Sequence, residues 1–377
     1  MANTASSEEL RSGLVGVVSN PSSISSIIEA TLTYRGINID DLTDNGTFEE
    51  ITYLLWHGRL PNRAELDELS KGLAGSFTLP DGVIACLQAM PKDTDPMRVL
   101  QAGAALLGMY DPDADSITKE ANLRKATRLT SQLTALTCAF HRIRNGNDPI
   151  PPSDELSFAG NFFYQLNGKK PDAIETEAID KALILHADHE LNASTFAGRV
   201  TASTRADMHS AIASAIGTLK GPLHGGANRA VMESLKSIGS VDNVEPWLKD
   251  KLAKKEKIMG FGHRVYKHGD PRAKHLKVMS KKLGELTGQA HWYEISVKLD
   301  ELFTAQKPLP PNVDFYSAST YYCLGLPADL YTPIFACSRV TGWIAHLFEQ
   351  YEEDTLIRPR ALYTGAQTGN WVPIDER

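Results

Sequence analysis

Cysteine is scarce in this sequence: Cys86, Cys138, Cys323 and Cys337 are the only four in 377 residues, and none form a C-x-x-C pair. A chain of this length can bury a core without disulfide staples, so reduced, buried thiols are expected. No apolar run approaches the ~20 residues that a membrane-spanning helix needs. The opening MANTASSEEL has neither a basic region nor an apolar stretch, so no secretory leader is expected and the expected location is the cytoplasm. Positive charge is not in excess either. The 39 Lys and Arg against 46 Asp and Glu give a net charge of −7, which disfavours nonspecific nucleic-acid binding, although a local basic patch can still hold phosphates. Solenoid repeats and low-complexity tracts are absent. Strands do not alternate with helices, which argues against a parallel α/β sheet.

What is present is mostly helical signal. Thr47-Phe48-Glu49-Glu50 has the capping-box pattern and opens a helix through Leu54, Leu55 and Trp56 that Gly58 stops. Pro61-Asn62 opens another through Leu66 and Leu69, and residues 95–110 and 121–144 also read as helices. Residues 178–220 read as two buried helices. The second, 206–219, carries Ala211, Ala213, Ser214, Ala215 and Gly217, small enough for close packing in a core or subunit interface. Residues 14–18 and 31–34 are the best strand candidates and are expected to make a small hairpin. Gly221-Pro222 and Gly325 with Pro327 break the helices. The expected class is therefore mainly α, with residues 1–220 and 326–377 in a large domain and 221–325 in a small one.

Four polar segments stand in apolar or glycine-rich surroundings, where charge is costly unless it is used. In His186-Ala-Asp-His189-Glu190-Leu-Asn192 the two histidines would share nearly one face of a helix. A metal pair and hydrogen-bonded core histidines both remain open there; the zincin pattern fails because its fifth position is Ala193. In Gly221-Pro-Leu-His224-Gly-Gly-Ala-Asn228, His224 precedes a helix expected over Ala227–Ile238. The positive end of a helix favours neutral imidazole, which can donate to an oxygen gaining negative charge. An ordinary glycine-rich turn is the plain alternative. Lys254 to Arg272 contains Gly260-Phe-Gly262-His263-Arg264-Val265-Tyr-Lys267. A dinucleotide fingerprint would need glycine at Val265 and a strand before Gly260, where a lysine-rich helix is expected. What remains is a backbone-exposing loop flanked by Lys254, Lys255, Lys257, Arg264 and Lys267, suited to a phosphate-bearing, adenine-containing ligand such as CoA; a solvated charge run is the alternative. In Pro311-Asn-Val-Asp314-Phe-Tyr-Ser-Ala318, partial desolvation would make Asp314 a stronger base, unless it merely caps a helix.

The segments HADHELNAST, GPLHGGAN, IMGFGHRVYKHGDPRA and PNVDFYSA occur in the order and spacing of the citrate synthase family. The sequence resembles that family from Leu14 to the IRPRALYTG segment after Leu356, and most closely its shorter bacterial and archaeal members. The resemblance implies an almost entirely helical two-domain fold that closes over its substrates, works as a homodimer, and uses no metal, redox cofactor or covalent enzyme intermediate. It implies condensation of acetyl-CoA with oxaloacetate and water to give citrate and CoA. On the family's pattern His224 stabilises the enol of the acyl-CoA, Asp314 removes its methyl proton, and His263 polarises the keto group. His189, Arg272 and Arg339 match dicarboxylate-binding positions, and Arg358 matches an arginine reaching into the neighbouring subunit's site. Lys257, Gly260, Gly262, Arg264 and Lys267 are the candidates for CoA. No nucleic-acid or membrane partner is expected.

Three other functions remain open in the sequence. A 2-methylcitrate synthase acting on propionyl-CoA shares these motifs, and one methylene changes binding by only about 1–3 kcal/mol. The others are a metal-dependent hydrolase built on His186 and His189, and a nonenzymatic helical binding module.

Overall fold

The computed structural model describes residues 12–377 apart from Val15, Glu29, Arg264, Lys267, His268 and Gln367. Most helix starts fall where a side chain can accept from the first free amides. Asn38 caps α1 (Ile39–Asn45). Thr47 and Glu50 form a reciprocal capping box on α2 (Phe48–His57), and Asn62 and Glu65 do the same on α3 (Arg63–Gly75). Then come α4 (Asp81–Ala89), α5 (Pro96–Gly108), α6 (Lys119–Arg144), α7 (Phe158–Asn167) and α8 (Ala173–His186). They are followed by α9 (Ala193–Ala202), α10 (Met208–Leu219), α11 (Ala227–Ile238), α12 (Val244–Ala253), α13 (Pro271–Leu286), α14 (Ala290–Gln306), α15 (Val313–Cys323) and α16 (Tyr331–Glu353). The mainly α class holds.

α16 runs through the core, against α2, α6, α8, α9 and α10, and buries Trp343, Ile344 and Leu347. Gly342 allows its closest approach. The Gly342 amide donates to Ala187 O at 3.1 Å, where a Cβ would stand 2.2 Å from the same oxygen. Helices α11 to α15 pack largely on one another, α15 against α11 and α13, and α14 against α12 and α13. α13 also meets α1, where Lys274 Nζ and His275 Nε2 lie 2.6 and 2.7 Å from the Asp40 carboxylate.

One small antiparallel sheet has the order β1 (Ser25–Ile28), β2 (Thr31–Tyr34), β3 (Ile37–Asn38), with Ile27 opposite Leu32. The partner of β2 is thus β1 and not residues 14–18. Gly13 and Gly16 adopt φ of 62° and 75°, which no β ladder continues, and Val18 is 89% exposed, so that segment has no apolar face to bury.

Other expectations also change. Residues 178–220 hold three helices (the end of α8, α9 and α10) where two were expected. α8 stops at His186, so His186 and His189 do not share a helical face. The Tyr34 hydroxyl lies 3.1 and 3.0 Å from the carbonyls of Ile184 and Asp188, Glu190 takes a left-handed φ of 53°, and Asn192 caps α9. The lysine run lies beyond helix α12, because Lys255 turns left-handed at φ 56°. Cys86 is exposed, whereas Cys138, Cys323 and Cys337 are buried; all four are free thiols. Among the described residues no helix is long and apolar enough to cross a membrane. Beyond α16 the described residues 354–373 carry neither helix nor strand, in keeping with the restriction that Pro359 places on Arg358.

Candidate active site

A cleft of about 520 Å³ is lined by His189, His224, His263, Arg272, Asp314 and Arg339. The turn after α8 supplies His189, the loop before α11 supplies His224, and the loop before α13 supplies His263. Arg272, Asp314 and Arg339 come from α13, α15 and α16. Lys257 and Gly262 line the same cleft. Gly260 stands behind it: at φ 86° a Cβ there would meet Val231 Cγ2 at 2.6 Å and Phe315 Cδ2 at 2.8 Å. Arg264 and Lys267 lie outside the described residues. Arg358 is exposed and is not among the residues lining the cleft of its own chain.

Backbone amides determine where each imidazole carries its proton. The amides of Val265 and Tyr266 donate to His263 Nδ1 at 3.1 and 3.3 Å. An amide only donates, so Nδ1 is unprotonated and the neutral ring bears its proton on Nε2. His224 is the opposite case. The amide of Ser194 donates to its Nε2 at 3.4 Å, which leaves the proton on Nδ1, while Ser194 Oγ lies 2.8 Å from the same nitrogen and donates to Asn192 Oδ1 at 2.7 Å. The amide that His224 faces thus belongs to the first turn of α9, whereas the sequence pointed to α11. Both rings stay neutral at ordinary pH. Burial first, and Arg339 second, lower the His224 pKa to about 4. Burial and then Arg272 do the same for His263, also to about 4. His189, almost fully enclosed, is held well below its usual value by burial, Arg272, Arg339 and His263, and its Nε2 lies 3.0 Å from Tyr266 Oη.

Asp314 behaves differently from Asp270, the buried carboxylate behind the cleft. Desolvation raises its pKa to about 6, against the pull of Arg272 and Arg339. Asn312, not Asp314, caps α15, and among the described residues nothing donates to the Asp314 carboxylate. It is therefore an unoccupied base beside two cations. Asp270 is committed: it takes Arg272 Nε and Nη2 at 2.9 and 2.8 Å and the Val313 amide at 3.0 Å. Burial alone would raise its pKa, but Arg272 outweighs that and the net shift is downward. Arg339 is 2% exposed, and burial brings its pKa to about 10, so it remains charged. Its Nε donates to His186 O at 2.6 Å, and among the described residues it has no carboxylate partner within ion-pair distance. That leaves its guanidinium for an anion.

The His186 side chain does not line the cleft, although its carbonyl holds Arg339. Its Nδ1 lies 2.7 Å from Ala182 O and its ring packs edge-on against Phe335. Among the described residues no three His, Cys, Asp or Glu side chains gather as a metal site.

Several participants escape sequence reasoning. Ser194 reads as one more polar residue in a capping segment, yet it holds His224 and accepts from Trp343 Nε1 at 3.2 Å. Tyr266 and Asp270 lie inside a motif already noted, and nothing in the spacing tells that they brace His189 and Arg272. Their partners come from the tertiary fold.

A cleft that sets two buried arginines and a desolvated carboxylate beside neutral imidazoles suits an enzyme of acid–base chemistry on an anionic substrate. The family model "Citrate synthase, C-terminal domain" matches residues 13–360. Citrate synthase 2 of Bacillus subtilis is 57% identical over 97% of this chain and 98% of its own length. Citrate synthase of Haloferax volcanii is 49% identical over 98% of this chain and all of its own. A solved citrate synthase from the archaeon Thermoplasma acidophilum, in a ternary complex with carboxymethyl coenzyme A and oxaloacetate, superposes with a TM-score of 0.90 at 36% identity, over 98% of this chain and 100% of that one. Relatives named 2-methylcitrate synthase also match. The chain belongs to the citrate synthase family.

Proposed function

We propose that this enzyme condenses acetyl-CoA with oxaloacetate and water to citrate and CoA by pairing a donor on the thioester oxygen with a base on the methyl carbon. A thioester α-proton is too weakly acidic for a base alone to remove quickly at neutral pH. Asp314 takes that proton while the Nδ1–H of His224 stabilises the enol oxygen. The carbon nucleophile adds to the keto carbon of oxaloacetate, whose oxygen takes the Nε2 proton of His263. Water then cleaves the thioester of the condensed product, releasing citrate and CoA. His189, Arg272 and Arg339 hold the two carboxylates of oxaloacetate. Lys257, Gly260, Gly262, Arg264 and Lys267 take the CoA moiety. These steps call on side chains alone, so neither metal nor redox cofactor has a part in them.

The observation that carries this reading is that backbone amides meet His263 at Nδ1 and His224 at Nε2, beside a carboxylate to which nothing donates among the described residues. The ternary complex of the Thermoplasma relative supports the same pair of substrates. Residues 221–325 act as a small domain that closes on the cleft once oxaloacetate is bound, excluding water from the thioester. The working unit is a homodimer in which Arg358 completes the partner's site.

Release of CoA, followed with a thiol reagent, tests the reaction. Acetyl-CoA with oxaloacetate is expected to release it rapidly after exhaustive dialysis against a chelator, and propionyl-CoA with a kcat/KM about tenfold or more lower, the scale of one methylene. A preference for propionyl-CoA would make the enzyme a 2-methylcitrate synthase. CoA released without oxaloacetate, or activity regained only with added metal, would point to a hydrolase.

The Ser194 contact gives a second expectation. Ser194→Ala frees His224 Nε2 from its hydroxyl partner and should lower kcat about 10- to 100-fold, as losing an orienting partner of a catalytic imidazole does, with the KM for oxaloacetate nearly unchanged. A mutant with normal kcat would remove Ser194 from the positioning of His224.

A further inference from the structure

The turn that carries His189 is strained and is braced from outside the cleft. Glu190, next to His189, is a non-glycine residue at φ 53°, a conformation held only where the surroundings impose it. Ser25 of β1 supplies much of that constraint. Its Oγ accepts the Glu190 amide at 2.8 Å and donates to Asp188 Oδ2 at 2.5 Å. One hydroxyl thus ties the residues on either side of His189. Tyr34 of β2 adds a second brace: its hydroxyl lies 3.0 Å from Asp188 O and accepts the Asp188 amide at 3.2 Å. Asp188 is fully buried, and its other oxygen faces His346 Nε2 of α16 at 3.4 Å. The turn is therefore gripped between the small sheet and α16, with His189 projecting to the cleft.

We infer that Ser25 and Tyr34 are positioning residues for oxaloacetate binding, and that the N-terminal sheet serves as a splint for the His189 turn. This rests on the reading of His189 as an oxaloacetate ligand. Neither residue lines the cleft, so both act through the turn. When a hydroxyl is lost, the strained backbone relaxes, His189 shifts, and the cost falls on ground-state binding before it falls on chemistry.

Ser25→Ala is expected to raise the KM for oxaloacetate about tenfold, the scale of one hydrogen bond to a buried charge, with kcat changed less than about threefold. Ser25→Thr keeps the hydroxyl and should restore KM. Tyr34→Phe removes the second brace and should move KM in the same direction. Ser26→Ala is the control: Ser26 Oγ pairs with Thr33 Oγ1 at 2.8 Å across the hairpin and does not touch the turn. It should lower the Tm no more than Ser25→Ala does and leave KM alone. An unchanged KM in both Ser25→Ala and Tyr34→Phe overturns the splint, as does an equal rise in Ser26→Ala, which would make the sheet a general structural support. His189→Asn separates the two levels. A normal oxaloacetate KM there overturns the reading of His189 itself, whereas a raised KM there with a normal one in Ser25→Ala overturns the splint alone.

Discussion

Asp314→Asn is expected to lower kcat about 10²–10⁴-fold while the fold and oxaloacetate affinity stay near normal, as befits the loss of a general base. The substitution is nearly isosteric. Asn312 provides the cap of α15, so the helix keeps its start. Among the described residues the Asp314 carboxylate accepts from no donor, so asparagine breaks no bond of the resting protein. What it removes is the ability to take a proton. The pH profile offers an independent check with a definite sign. A base works only when deprotonated, and desolvation raises this pKa to about 6. The kcat/KM, which reports the free enzyme, should therefore fall as the pH drops below about 6, approaching tenfold per unit. His224 and His263, both near 4, remain neutral through that range and do not add a second acid limb. Turnover within a few-fold of wild type in the asparagine variant would take Asp314 out of the reaction.

Asp314 and His224 stand out in the sequence because each sits in a short, self-contained segment with a local reason to do so, whereas Arg272 and Arg339 are marked by the resemblance alone. Asp314 is an acid between Val313 and Phe315, and His224 follows a helix breaker. The structure brings these segments to one cleft. The protonation of the imidazoles was not legible. For His263 it depends on amides two and three residues along the chain, which requires knowing that this loop folds back on its own ring. For His224 it depends on Ser194, thirty residues earlier. The same holds for the break between His186 and His189. The apolar run of α8 gives no reason to stop there, and the interruption comes from Tyr34 and Ser25 on a sheet more than 150 residues upstream. Local pattern marks which groups are out of place, while long-range contacts decide what state they are held in.

Arg358→Ala is expected to lower kcat/KM about 10²–10³-fold, the cost of leaving a buried substrate carboxylate without its cation, and yet to complement Asp314→Ala in a mixed dimer. Arg358 lies on the segment beyond α16. The root of that segment is fixed, with the Gln350 amide side chain donating to Thr355 O at 3.0 Å and the Ile357 amide to Ser203 Oγ at 3.1 Å. From there Arg358 is exposed and outside the lining of its own cleft. The proposed C2 dimer would bring it to the partner's cleft, and the partner's to this one. In a dimer of one Asp314→Ala chain and one Arg358→Ala chain, crossed sites segregate the lesions: one site carries both and the other carries none. Uncrossed sites would each carry one lesion and stay inactive. Unfolding the two inactive variants together in equal amounts and refolding them should restore about a quarter of wild-type activity, because half the dimers are mixed and each has one intact site. Either variant refolded alone should recover nothing. Confirmed mixed dimers without activity would place Arg358 outside the partner's site and leave its own chain as the only one it could serve.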